Sequence, residues 1–416
     1  MNYAEKWADS SWDFKLENTK TETHCYHNYP AMMIPQIAKR LINTYTSNDS
    51  KMLFDPYCGT GTSLVEANLK GINAVGTDLN PLARLISKTK TSKVELQILD
   101  LYLKEFNDFA FNINFGLNRF NIVLPNFANM DFWFKKDTIK KLAVIKQFID
   151  NIADEKVKNF FWVAFSETVR ESSLTKNNEF KLYRMSEKQR AKFNPDVYGI
   201  INSKLARNRK GLVQYLEKTK NIKSETIIYD FNTSEGVFDI EKKSIDIIIT
   251  SPPYGDSRTT VAYGQFSRLA NQWLGVDNAS QIDNQLMGGR AKKIEKTGIL
   301  IVDRTVNSIA EIDEKRGQEV YSFYYDYWKS ITNVSSLIKK GKYACYVVGN
   351  RRVKGITLPT HEITKVLFEE NGFKHKNTFV RNIPNKRMPS ENSPTNIVGE
   401  KSKTITNEYI VVMQKI

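Results

Sequence analysis

Cysteine is scarce in this sequence. Only Cys25, Cys58 and Cys345 occur in 416 residues, an odd number spread far apart, so no disulfide framework is indicated. Long apolar runs are missing too: nothing approaches the ~18 residues of a membrane span. The opening stretch, Met1 to Phe14, is polar and aromatic without a signal-peptide core, so a cytoplasmic protein with no membrane partner is the expectation. His24-Cys25-Tyr26-His27 has no second ligand pair at structural-zinc spacing, and no metal is expected.

Positive charge, by contrast, is plentiful and uneven. The formal net charge is +15, and hydrophobic residues at 41% suffice for a substantial core. The length suits roughly two or three domains or one enlarged domain. Between Glu171 and Ser224 stand 13 Lys or Arg against 5 Asp or Glu, with Lys204, Arg207, Arg209 and Lys210 the densest part. A local excess of this kind suits a polyanion, and the bland alternative is a solvated helical face.

Two stretches organise the rest. In Phe54-Asp55-Pro56-Tyr57-Cys58-Gly59-Thr60-Gly61-Thr62-Ser63, a short strand (Lys51 to Phe54) enters a glycine loop and then a helix, a geometry that brings backbone close to a ligand at a helix amino terminus. A second strand, Ile72 to Thr77, ends in Asp78, followed by Leu79; an acid about 20 positions beyond such a loop is placed to hold ribose hydroxyls. The loop lacks Gly-Lys-Ser/Thr and a third glycine, which argues for an adenosine ligand without polyphosphate. The other stretch, Thr250-Ser251-Pro252-Pro253-Tyr254, follows the unbroken β-branched run Ile245 to Ile249, which reads as a strand buried on both faces. Ser251 offers a hydroxyl, Pro252 a carbonyl and Tyr254 a flat ring, a compact set for holding a planar amine.

Elsewhere, Ile34, Ile37, Ala38, Leu41 and Ile42 predict a helix running from Tyr29-Pro30. Two apolar stripes, Ile139 to Ile149 and Val157 to Thr168, predict a helical hairpin. Strands are expected at Glu225 to Tyr229, ending in Asp230-Phe231, at Tyr343 to Val348, at Phe373 to Arg381 and at Tyr409 to Met413. Gly255 to Gln318 reads as a long loop containing Arg258 and Arg290, and Asn382 to Arg387, with Lys386, reads as a mobile or nucleic-acid-contacting loop.

Together these residues resemble the amino-group DNA methyltransferases that use S-adenosylmethionine. The loop Asp55 to Thr62 looks like that family's cofactor motif, Thr250 to Tyr254 is similar to its catalytic motif in the N4-cytosine form, and Pro30 with its helix looks like an accessory cofactor motif. The resemblance implies an α/β, Rossmann-like methyltransferase fold with a mixed seven-stranded sheet. With the patterns above, the chain is expected to divide into a cofactor part (1–90), a basic helical insertion (91–224), the catalytic motif (225–256), an insertion that is a candidate for target recognition (257–320) and the remainder of the catalytic domain (321–416). Both insertions depart from the family pattern, and which of them carries target recognition stays open. The resemblance implies that Gly59 and Gly61 cradle the methionine end with Asp55, that Asp78 takes the ribose and that Asp230, with Phe231 over the ring, takes the adenine. Tyr29, Pro30, Phe54, Pro56, Cys58, Thr60, Thr62 and Leu79 complete the expected cofactor set. Ser251, Pro252, Pro253 and Tyr254 would face a flipped base, and Arg207, Arg209, Lys210, Arg258, Arg290, Lys386 and Arg387 would contact double-stranded DNA. A restriction endonuclease is a common companion of such enzymes. Pro-Cys is absent, which removes the nucleophile of carbon-5 cytosine chemistry. Adenine-N6 methylation, RNA guanine-N2 methylation and a non-catalytic DNA-binding subunit stay open as alternatives.

Overall fold

The computed structural model describes residues 8–114, 121–176, 180–255, 262–383, 391–392, 402–403 and 406–416. The strands are β1 (Met52–Asp55), β2 (Asn73–Thr77), β3 (Thr226–Tyr229), β4 (Ile245–Thr250), β5 (Ile338–Gly349), β6 (Arg351–Val353), β7 (Ile356–Leu358), β8 (Phe373–Asn382), β9 (Glu391–Asn392), β10 (Ser402–Lys403) and β11 (Asn407–Lys415). Seven of them form one sheet in the order β3-β2-β1-β4-β5-β11-β8. The first five are parallel, and β11 runs antiparallel to both its neighbours. The mixed seven-stranded α/β sheet expected from the sequence is therefore present.

Strict alternation places the two faces of the central strands in different cores. On one side Ile247, Ile249, Cys345 and Val347 meet the helices Pro35–Tyr45 and Thr62–Leu69. On the other, Ile248, Ala344, Tyr346 and Val348 meet the helices Leu300–Ala310, Glu314–Ser335 and Thr360–Glu370. Burial on both sides explains why these strands read as unbroken apolar runs. At the opposite end of the sheet from the motif, buried Asp246 accepts from Lys51 N at 2.8 Å, Met52 N at 3.0 Å and Lys339 Nζ at 2.8 Å, which ties β1 to β4 and β5.

The helices Leu96–Asn114, Met130–Trp133, Lys136–Asp150, Glu155–Ser172, Glu187–Lys192 and Val197–Lys218 occupy the stretch between β2 and β3, after helix Pro81–Thr91. The core of the longer ones is shared with Tyr26, Tyr29, Leu82 and Ile86, and with Phe266, Leu269 and Trp273 from beyond Tyr254.

Two local expectations are revised. The first helix starts at Pro35, not at Pro30, because proline favours the first helical position and holds Ile34 extended at φ −74°, ψ 140°. The segment expected as a loop after Tyr254 contains the helices Tyr263–Trp273, Ile282–Gln285 and Leu300–Ala310. They are short and separated by turns at Gly275, Asn278, Gly288 and Gly298, all at positive φ, so no long periodic stretch betrays them. Among the described residues no helix is long and apolar enough to cross a membrane.

Candidate active site

The carboxyl ends of β1, β2 and β4 lie side by side, and a cavity opens above them. Its wall includes Tyr29, Pro30, Asp55, Pro56, Cys58, Gly59, Thr60, Thr62, Asp78, Leu79, Phe231, Ser251 and Pro253. The two organising motifs thus meet in one space although about 190 residues separate them in the chain.

Asp55 joins them. Its Oδ1 accepts from Thr250 Oγ1 at 2.6 Å and from Tyr57 N at 3.1 Å, while Ser63 Oγ donates to Oδ2. Burial pushes this carboxyl up to about 6 against those hydrogen bonds. The last residue of β4 is thereby locked to the start of the glycine loop. Asp78 closes the loop from the other side: its Oδ2 accepts from Gly59 N at 3.1 Å and its Oδ1 from Asn80 N at 2.7 Å. Burial raises the Asp78 carboxyl, opposed by these backbone donors and by Arg84.

The two loop glycines do different work. Gly59, at φ +49°, has nothing within 4 Å of where a Cβ would stand, whereas a Cβ on Gly61, at φ +77°, would lie 2.4 Å from Ser87 Oγ. Gly59 lines the cavity and leaves space there; Gly61 lets helix Pro81–Thr91 pack against the loop and is not part of the cavity wall. The Cys58 thiol is buried and pushed well up by that burial, a packing group.

Several other expected residues stand apart from the wall. Phe54 is buried in the core, Pro252 is buried, and Asp230 is largely exposed with its carboxylate 3.9 Å from Arg84 Nη2. Tyr254 is directed sideways, its hydroxyl donating to Glu408 Oε1 at 2.9 Å. Arg207 binds Glu167 and the Tyr26 carbonyl, and Arg209 grips Asp100 with two bonds of 2.5 and 2.6 Å. Lys210 and Arg290 are exposed. Arg258, Lys386 and Arg387 lie outside the described residues.

Sequence reasoning missed Asn80, Tyr263, Thr233 and Met287, which also line the cavity. Asn80 is a hub: its side chain donates to Tyr29 Oη at 2.8 Å and Ser267 Oγ at 2.9 Å and accepts from Leu82 N at 3.2 Å. Asn-Pro at a helix start was the available signal. Tyr263 stacks on Tyr29 with centroids 6.1 Å apart and planes at 16°, so the segment after Tyr254 covers one side of the cavity.

Comparison with known proteins agrees with this geometry. A sequence-family model described as DNA methylase matches residues 1–88. The type II methyltransferase M.MvaI of Kocuria varians is 41% identical over 96% of this chain and 93% of its own. A tRNA (guanine(10)-N2)-dimethyltransferase of Methanocaldococcus jannaschii is 32% identical over 23% of this chain and 26% of its own. Among solved structures, the rRNA methyltransferase aviRa of Streptomyces viridochromogenes overlaps 93% of this chain and 88% of its own at 9% identity and a TM-score of 0.32, so the fold rests on the sheet order itself. Similarity at this level along almost the whole length, as with M.MvaI, means that the chain belongs to the amino-group DNA methyltransferases.

Proposed function

We propose that this DNA methyltransferase transfers a methyl group from S-adenosylmethionine to the exocyclic N4 amine of cytosine in double-stranded DNA, as the modification partner of a restriction endonuclease. The observation that carries the reading is the Thr250–Asp55 bond of 2.6 Å, with Ser251 and Pro253 on the wall that Gly59 and Asp78 also form.

The residues suit the cofactor. Gly59 leaves space where any side chain would intrude, each Asp78 oxygen keeps a lone pair for a ribose hydroxyl, and Tyr29 and Phe231 offer apolar flanks to a ring. When bound, S-adenosylmethionine supplies an electrophilic sulfonium methyl. The protein's part is orientation. An exocyclic amine conjugated with its ring is a poor nucleophile, and an acceptor at Ser251 Oγ takes one of its hydrogens so that the nitrogen lone pair is free to point at the methyl. The methylated nitrogen is acidic, so no strong base is needed. Serine at position 251 favours cytosine over adenine within the resemblance stated above.

Purified protein incubated with labelled S-adenosylmethionine and unmodified genomic DNA should yield N4-methylcytosine on nucleoside analysis. N6-methyladenine would move the reading to adenine, and label confined to RNA would defeat both. Ser251→Ala should keep cofactor affinity while single-turnover methylation falls by roughly 10²–10³-fold, the usual loss on removing one preorganised polar group. Full activity in that variant would remove Ser251 from the site.

A further inference from the structure

Gly349 of β5, Glu408 of β11 and Arg381 of β8 lie abreast in one register row beside the catalytic corner. The Tyr254 ring fills the space over Gly349, where a Cβ would come within 2.6 Å of Cδ2. From there its hydroxyl donates to Glu408 Oε1 at 2.9 Å. The other carboxylate oxygen accepts from Arg381 Nη1. Arg381 is itself immobilised: it is 4% exposed, its Nε donates to the Trp12 carbonyl at 2.9 Å and its Nη2 to the Asp13 carbonyl at 3.3 Å. On its other side the Tyr254 hydroxyl is 3.3 Å from Ser251 Oγ.

The protons in this row follow by elimination. A guanidinium only donates and a carboxylate only accepts, so the single Tyr254 proton goes to Glu408. The phenolic oxygen then shows Ser251 only lone pairs. The Ser251 hydroxyl must be the donor of that contact, which leaves the lone pairs of Oγ for the cavity.

We propose that Arg381 and Glu408 are positioning residues that set the direction of this hydrogen-bond chain, so that Ser251 offers the target base an acceptor and never a donor. The proposal rests on the functional reading above and deepens it. Direction matters because a hydroxyl donating to the amine nitrogen would occupy the lone pair that has to attack the methyl, whereas an acceptor takes an N–H and leaves that lone pair free.

Glu408→Gln tests it with almost no change of shape. Arg381 still requires an acceptor, so the amide must turn its oxygen to Arg381 and its NH₂ to Tyr254. The tyrosine proton is then pushed towards Ser251, and the chain reverses. The single-turnover methylation rate should fall on the order of tenfold or more, the effect of losing one well-placed hydrogen bond in the transition state, with S-adenosylmethionine and DNA dissociation constants unchanged. Tyr254→Phe should lose a similar factor, and the double variant no more than either alone. A stability cycle on the same variants gives a readout without turnover: Tyr254→Phe and Glu408→Gln should be coupled in urea midpoint. A Glu408→Gln rate equal to wild type, a loss that appears only as weaker binding, or additive stabilities would each overturn the chain while leaving DNA methylation by the wild type intact. Wild-type protein that methylates no DNA would instead defeat the functional reading, and the assignment of an amine to Ser251 with it.

Discussion

The sheet edge and the helix Val197–Lys218 are both rich in polar side chains, yet they spend them in opposite ways. At the edge, Ser251, Asp78 and Gly59 keep capacity turned towards a cavity. Along the helix four basic groups are paired with acids: Arg207 on Glu167 at 2.7 Å, Lys204 on Glu171 at 2.6 Å, Arg209 on Asp100, and Lys218 on Glu22. The contrast teaches that a count of charges says little about where charge points. The partner acids come from other elements, so four of the 13 basic groups become clasps between elements.

The largest effect that would break this contrast is at Arg207. Glu167 is buried, and although burial acts to raise its carboxyl, His27 and Arg207 outweigh it and hold it below the ordinary value. Arg207→Ala strips the nearer cation from that carboxylate and should cost roughly 2–4 kcal/mol in urea unfolding, towards the low end for a broken buried pair. Lys204 Nζ, 3.8 Å from Glu167, limits the loss. Lys210→Ala, at an exposed position, should stay within about 0.5 kcal/mol. If Arg207→Ala leaves stability untouched and flattens the salt dependence of DNA binding instead, the helix is a polyanion surface and the contrast fails.

A second comparison lies inside the edge itself. Gly61→Ala would place a methyl against Ser87 at a positive φ, and a loss of about 1–3 kcal/mol in stability is expected from strain and overpacking together. Gly59→Ala meets open space, so its stability loss should stay near the ~1 kcal/mol of backbone strain. Its damage should appear as S-adenosylmethionine affinity weakened on the order of tenfold, measured by calorimetry, because the methyl enters the cradle. Equal damage from both substitutions to both properties would show that the glycines share one role.

What could be read from the sequence follows the same line. Strand, loop and helix between Lys51 and Leu69 are contiguous, so hydrophobic period and glycine placement were enough to locate them, and Thr250 to Tyr254 ended an apolar run too plain to misread. That the strands form one mixed seven-stranded sheet was legible only through family resemblance, and their order was not read from the sequence. The cavity's other wall was not legible at all: Tyr263 reaches Tyr29 through the packing of helix Tyr263–Trp273 on helices Pro81–Thr91 and Glu155–Ser172, a contact with no local signature. Glu408 and Arg381 were hidden for a similar reason, since their alignment with Tyr254 depends on the register of two antiparallel strands at the far end of the chain.

Lys90 sits where the two regions meet and offers the most specific test. It is fully buried, its amino group 3.4 Å from Thr60 Oγ1 of the glycine loop, and burial, with repulsion from Lys20 and Arg207, drives it down to about 7. An unfolded lysine keeps its proton up to about 10.4, so between there and the folded value unfolding takes up a proton and stability rises with pH. Below pH 7 both states are protonated and this contribution is flat. Wild type minus Lys90→Met should therefore gain about 1 kcal/mol per pH unit in urea unfolding between pH 7.5 and 9, with Lys90→Met the more stable protein at the lower pH. A difference that does not change with pH would mean that Lys90 keeps its charge in the fold. A cation would then stand under the glycine loop, and the helix side would be lending charge to the edge.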